Sequence, residues 1–232
     1  MELKTFKHDL MPPLPSISVK YYSGERYYKC PTTSLWYPSV TTVLGHKKKK
    51  FFENWRTNPD NAKKLIHSQN RGNDFHSIIE NYIKNDYQKS KNETANSLFS
   101  LLKPKIDKID NVVAQEIPLW SDYLKLAGRV DCIGYYNNVM SVIDFKGSTE
   151  PKKEEWINDY FCQAAIYCLM FEERFNQKIK QIVILVASED GITQEFIKNP
   201  KNYFSEIKNN IDEFWKTHDF NEIQEKLNGD IL

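Results

Sequence analysis

The sequence carries almost no net charge: 32 Lys and Arg against 31 Asp and Glu leave +1. That excludes a protein that coats nucleic acid through a global basic field, so any contact with a polyanion has to be local. No apolar run approaches the roughly 20 residues of a membrane span, and no membrane partner is expected. Met1–Pro15 has neither the apolar centre of a secretion signal nor the Arg/Ser-rich, acid-free look of a transit peptide, from which a cytoplasmic site of action is expected. The four cysteines, Cys30, Cys132, Cys162 and Cys168, follow no zinc or iron–sulfur spacing, so they read as reduced structural thiols with no Fe–S cluster. Internal repeats and linkers are also missing. With 40% hydrophobic residues for a core, residues 1–232 read as a single domain.

The stretch around which the chain is organised is Gly128–Lys146, GRVDCIGYYNNVMSVIDFK. Two β-forming runs, Leu126–Tyr136 and Val139–Lys146, flank Asn137–Asn138, and asparagine tolerates the positive φ that a tight two-residue turn requires. That turn would set Asp131 opposite Asp144 and Arg129 opposite Lys146, all four on one face of the hairpin. Like charges directly opposed on neighbouring strands are destabilising, and a divalent cation between the carboxylates is the simplest compensation. Lys146, one pleat from Asp144, completes a group suited to metal-assisted hydrolysis. The competing reading, a solvated charged face, is opposed by the interleaved Val130, Cys132, Val142, Ile143 and Phe145, which mark a strand buried on at least one side.

The first 37 residues, rich in Pro and Tyr, read as an arm or small hairpin with β-like runs at Ser18–Tyr22 and Arg26–Cys30. Residues 38–110 read as a helical part. It opens with Pro38-Ser39-Val40-Thr41 and continues through His46 and the four lysines 47–50 to Phe51, Phe52 and Trp55 at helical spacing. Those aromatics read first as a core-facing helix stripe. Interleaved with hydroxyls and lysines, they also fit a channel for single strands, with phosphate contacts and stacking faces. Arg71–Lys84 is an amphipathic helix burying Phe75, Ile78, Ile79, Tyr82 and Ile83, with His76 and Glu80 one turn apart beside that stripe. Gly72 would allow close approach of a backbone or ligand. Residues 85–97 read as a loop and Leu98–Ile109 as a helix bent at Pro104. From Asn111 to residue 218 the pattern becomes βββαβ. Val112–Trp120 is a strand bearing Glu116, and the hairpin follows it. Next comes a long helix over Lys152–Phe175 that carries Asp159, Gln163 and Tyr167 every fourth residue and has Trp156 among its packing residues. Ile182–Ala187 reads as a strand covered on both faces. Thr193–Phe196 would be an edge strand, and Asn202–His218 a last helix with Phe204 inward. Residues 219–232 are weakly patterned.

A histidine on an early helix, G-R-V-D at Gly128–Asp131, I-D-F-K at Ile143–Lys146, and Gln163 with Tyr167 on the next helix together resemble the RecB-like branch of the PD-(D/E)xK nuclease superfamily. Within it, Pro38-Ser39-Val40-Thr41 and the helix from Arg71 to Glu80 resemble motifs of the mitochondrial genome maintenance exonucleases and their phage-type relatives. The resemblance spans roughly residues 36–190. It implies an α/β fold, a mixed sheet flanked by helices. Residue by residue it implies Asp131 and Asp144 as metal carboxylates, with His76 and the Phe145 carbonyl completing the metal site. It makes Lys146 the residue that orients or deprotonates the attacking water. Gln163 and Tyr167 would face the site, and Glu80, Glu116 and Tyr167 would support it from behind the ligands. Asp144 stands where the motif usually has Glu.

The expected function is therefore a Mg²⁺- or Mn²⁺-dependent DNA exonuclease, acting on single strands or DNA ends in replication, repair or recombination and leaving 5′-phosphates. Hard oxygen ligands with one imidazole suit those ions. Burial is expected to lower the pKa of Lys146. Ser39, Thr41, Lys47, Lys48, Lys49, Lys50, Arg71, Arg129 and Ser148 are the expected DNA contacts. The alternatives are a duplex-end resecting exonuclease and a non-catalytic DNA-binding module. A monomer is expected, and a phage or bacterial source before a mitochondrial one.

Overall fold

The computed structural model describes residues 3–229, except for the side chain of Lys50, so that expected DNA contact lies outside the described residues. Strands β1 (Lys7–His8), β2 (Ser18–Tyr22), β3 (Glu25–Lys29) and β4 (Trp36–Pro38) come first. Helices α1 (Val40–Gly45), α2 (Lys49–Arg56), α3 (Pro59–Ile83) and α4 (Glu93–Ile106) follow. The sheet core is β5 (Ile109–Ser121), β6 (Leu126–Tyr136), β7 (Val139–Ser148), α5 (Asn158–Phe175), β8 (Gln181–Ser188) and β9 (Thr193–Lys198). Helices α6 (Phe204–Thr217) and α7 (Phe220–Asn228) close the chain.

The main sheet is mixed, in the order β1-β5-β6-β7-β8-β9. Strands β5, β6 and β7 are antiparallel neighbours, while β7 and β8 run parallel across the α5 crossover. Alternation along β8 divides the core in two. Ile182, Ile184 and Val186 pack with Phe161, Ala164, Ala165 and Phe171 of α5. Val183, Leu185 and Ala187 pack with Phe75 and Ile79 of α3 and Leu98 and Phe99 of α4. The continuous apolar run thus marks a strand covered on both faces, and the expected α/β sheet flanked by helices is what the chain forms. The hairpin expected near the N-terminus forms as β2–β3, and β4 adds a third strand to make a separate sheet.

The Asn137–Asn138 turn forms as the sequence requires, with φ of 50° and 64°. The β6–β7 register runs from Tyr136 opposite Val139 to Cys132 opposite Ile143 and ends there. Asp131 and Asp144 are therefore not a registered pair. The alternation of β6 also changes phase at this point: Val130 and Ile133, three residues apart, both lie in the α5-side core, which period two forbids.

Four element boundaries differ from expectation, each for a local reason. Helix α3 starts at Pro59, because Asn58 caps it by accepting from Asp60 N–H at 2.9 Å and proline suits the first helical position. The polar residues before Arg71 are therefore helix. Helix α4 starts five residues before Leu98, capped by Asn92, and continues through Pro104. A 3-10 turn, Glu154–Trp156, precedes α5 and leaves Trp156 64% exposed instead of packed. The residues expected to be weakly patterned form α7, capped by Asp219, which buries Ile223 and Leu227 against Tyr27 and Trp36. Phe204, expected inward, is at the surface, as are Phe51 and Phe52 of α2, which are not core residues.

Candidate metal and catalytic site

Asp144 and Lys146 occupy alternate positions of β7, so both side chains leave the strand on one face. Asp144 is 3% exposed. Lys146 Nζ lies 2.8 Å from Asp144 Oδ1, a hydrogen bond, and 2.7 Å from Oδ2. The second approach lacks hydrogen-bond geometry, leaving Oδ2 buried without a hydrogen-bond partner. Burial raises the Asp144 pKa above the usual carboxylate range; Lys146 opposes the rise and the charge of Asp131 adds to it. Burial alone would depress Lys146, but the charges of Asp144 and Asp131 outweigh it and hold the ammonium above the ordinary lysine value. The expected lowering of Lys146 is thus reversed while both carboxylates are ionised.

Where the β6–β7 ladder ends, Phe145 N–H donates to Asp131 Oδ2 at 3.1 Å. His76, from α3, brings Nδ1 within 3.5 Å of the same oxygen. Glu116 reaches this point from β5. It lies across from Asp131, between the registered pairs Gln115–Cys132 and Ile117–Val130, with a left-handed φ of 50°. One ligand atom each of His76, Glu116 and Asp131 lies within 4.8 Å of the other two. Burial, with the charges of Asp131 and Glu80, pushes the Glu116 carboxyl up to about 7. Glu116 thus stands among the atoms able to hold an ion, not behind them. A strand-periodic reading could not find this, since nothing in the sequence signals a left-handed glutamate. Glu80 stays behind, paired with Lys84.

Helix α5 forms one wall of the site. Tyr167 is buried against β6. Its hydroxyl would lie 2.6 Å from a Cβ placed on Gly128, so the glycine of the G-R-V-D motif is required for space. Tyr160, which sequence reasoning did not single out, sets its ring 5.2 Å from Lys146 Nζ, a cation–π distance that orients the amine.

The expected DNA contacts separate. Ser39 is 1% exposed, and its hydroxyl caps α1 by accepting from Thr42 N–H at 3.0 Å. Ser148 is buried and donates to the Glu150 carbonyl at 2.6 Å. Arg71 is 5% exposed and paired with Glu189. Ser39 and Ser148 are thus engaged within the fold, whereas Arg71 and Glu189, though paired, also line the groove between α2 and α3. Lys48 pairs with Asp159, and Lys49 with Glu25 at 2.8 Å. Thr41 and Lys47 are exposed. Arg129 is exposed too, and donates to the Glu116 carbonyl at 3.2 Å rather than standing in register with Lys146. A Cβ at Gly72 would meet nothing within 4 Å, so no other backbone uses the space there. A groove of about 740 Å³ opens between α2 and α3, lined by Phe52, Trp55, Lys63, Lys64, His67 and Thr149. It presents lysines beside aromatic faces, Phe52 and Trp55, whose spacing suggests a core-facing stripe.

Residues 105–228, just over half of the chain, match the family model of the PD-(D/E)XK nuclease superfamily. The matched stretch holds Glu116, Asp131, Asp144 and Lys146 and leaves His76 outside. The chain is also similar to a crystal structure of a Eubacterium rectale protein provisionally named an exonuclease, with a TM-score of 0.45 at 13% identity over 63% of this chain. It spans 64% of that chain, just under two thirds of its length. No protein of curated function matches the sequence.

Proposed function

Because the chain belongs to the PD-(D/E)XK nuclease superfamily, we propose that it is a divalent-metal-dependent deoxyribonuclease that digests DNA from ends and prefers single strands. The observation that carries this reading is the meeting of His76, Glu116, Asp131 and the Asp144–Lys146 pair from four separate elements. The donor set fits a hard cation: the carboxylate oxygens of Glu116 and Asp131 with the His76 imidazole, and the Asp144 carboxylate beside them. The Phe145 carbonyl would be a further ligand. When bound, Mg²⁺ or Mn²⁺ supplies charge neutralisation at the scissile phosphate and acidifies water.

The rest falls to the chain. Asp131, held by Phe145 N–H, and Asp144, held by Lys146, keep two negative charges close at a fixed spacing. Among the described residues, Lys146 is the one cationic side chain paired with Asp144. Once the carboxylate charge it answers to is engaged elsewhere, the ammonium can release a proton to solvent, and the neutral amine then orients the attacking water and accepts its proton. The Tyr160 ring limits where that amine can point. Glu116, poised near neutrality, takes up or gives up a proton as the site fills.

The strand preference is supported by the α2–α3 groove. Phe52 and Trp55 offer stacking faces, Lys63 and Lys64 offer phosphate contacts, and this combination suits unpaired nucleotides. Thr41, Lys47 and Arg129 are the remaining exposed candidates for gripping the backbone. The resemblance to the mitochondrial genome maintenance exonucleases and phage-type relatives agrees with an end-directed enzyme in DNA replication, repair or recombination. The test is digestion of circular and linear single strands beside linear duplex. Shortening of the linear single strand with the circle intact is expected. Cutting of the circle contradicts end dependence, and faster loss of the duplex makes the protein a duplex-resecting enzyme.

A further inference from the structure

Glu25, His46 and His218 converge from β3, from the 3-10 turn after α1 and from the end of α6. One ligand atom of each lies within 4.8 Å of the others. The surrounding hydrogen bonds decide where the imidazole protons sit. His218 Nδ1 is 2.9 Å from the Phe214 carbonyl, which can only accept, so Nδ1 carries a proton and Nε2 the lone pair. That Nε2 lies 3.2 Å from Glu25 Oε2, also an acceptor. His46 Nε2 is 3.1 Å from Thr217 Oγ1, which also lies 3.0 Å from the Phe214 carbonyl and 3.0 Å from His218 Nδ1; with His218 Nδ1 protonated, the hydroxyl's own proton is directed to the Phe214 carbonyl. His46 Nε2 is therefore a donor, and its Nδ1, buried without a hydrogen-bond partner, is left with a lone pair. These tautomers leave one nitrogen of each histidine with a lone pair beside the Glu25 carboxylate.

We propose that Glu25, His46 and His218 bind a zinc-like divalent cation, at a site separate from the Asp131–Asp144 pocket, that ties the N-terminal sheet to the C-terminal helices. Two imidazoles and a carboxylate suit zinc better than magnesium. Tetrahedral bonds of about 2.0 Å put neighbouring ligand atoms roughly 3.3 Å apart, and His218 Nε2 and Glu25 Oε2 are 3.2 Å apart. The groups behind the ligands are in place: Tyr27 Oη donates to Glu25 Oε2 at 2.9 Å and Lys49 Nζ to Oε1 at 2.8 Å, fixing the carboxylate as metal ligands commonly are fixed. Glu25 and His46 also line a cavity of about 310 Å³ beside Thr42, Gly45 and Lys49, which leaves room for a water as fourth ligand. The site stands whether or not the other pocket cleaves DNA.

The rival arrangement is an imidazolium at His218 paired to Glu25 with no metal. Chelator-competition titration of Zn²⁺, and Co²⁺ absorption spectra, on the full chain carrying His76→Ala separate the two, since that background removes the imidazole of the catalytic pocket. One bound ion with the visible bands of four-coordinate cobalt is expected. Adding His46→Gln or His218→Gln should weaken zinc at least about 100-fold and abolish the rise in melting temperature that zinc produces. Equal zinc affinity with and without these changes, or no binding, overturns the proposal. If either added variant fails to fold, the cobalt spectrum of His76→Ala alone decides, and absence of four-coordinate bands overturns it.

Discussion

At the residue scale, Lys146 and Glu116 stand in surroundings that differ from what their sequence positions suggest. Lys146 is held as an ammonium by Asp144 and Asp131. Lys146→Ala should therefore lower turnover by about 10²–10⁴-fold while DNA affinity changes little, as read by single-turnover cleavage beside a binding titration. Asp131→Ala should lose both turnover and metal binding. Glu116 titrates near 7 in the fold against 4.5 ordinarily. Between those values the folded chain holds a proton that the unfolded chain has released, so this group's contribution to stability falls as pH rises through that window. In EDTA, the melting temperature should drop between pH 5 and 8 more steeply for the wild type than for Glu116→Gln, and parallel profiles would refute the assignment. Gly128→Ala should cost about 1–3 kcal/mol in denaturant unfolding, because its methyl meets the Tyr167 hydroxyl. The sequence singles out Asp131, Asp144 and Lys146 through a tight turn and period two, which are local rules, although the direct pairing of the aspartates that these rules predict does not form. It could not reveal Glu116, whose left-handed backbone depends on the neighbouring strand, nor the burial of Ser39, Arg71 and Ser148, which depends on distant partners.

At the element scale, the turn residues Asn137 and Asn138 set the hairpin, and its register follows the two-residue turn until the ladder opens at the aspartates. Local chemistry carried the reading that far. The opening itself brings together Asp131, His76 and Glu116 from three elements, a long-range arrangement with no pattern within any one of them. Helix boundaries were misplaced where an asparagine or aspartate cap, at Asn58, Asn92 and Asp219, extended or created a helix among polar residues. Helix α2 is the informative failure. Its aromatics have core-like spacing, yet Phe51 is 65% and Phe52 42% exposed, beside a lysine-lined groove. Phe51→Ala with Phe52→Ala should weaken single-stranded DNA binding by about 1–3 kcal/mol per lost stack. The melting temperature should change little, since neither ring is in the core. Unchanged affinity in a fluorescence titration would remove α2 from the substrate path.

For the whole molecule, a near-neutral net charge is set against local concentrations of each sign. Acidic groups meet at the open end of the β6–β7 hairpin, and lysines line the α2–α3 groove. Such a molecule should hold DNA through few phosphate contacts. Its affinity should therefore fall with salt along a slope of only a few counterions, whereas a steep slope would imply a larger basic footprint than the surface offers. Metal binding at His76, Glu116 and Asp131 would relieve the crowding of carboxylates that the bare fold carries.

Digestion of end-labelled single-stranded DNA by the wild type and by Lys146→Ala, each with Mg²⁺, with Mn²⁺ and with EDTA, tests the central claim most directly. Shortening by the wild type that requires a metal, and that the variant lacks despite binding the strand, is the predicted result. Near-wild-type cleavage by Lys146→Ala, or an intact strand under both metals, would contradict the catalytic role given to the Asp131–Asp144–Lys146 site.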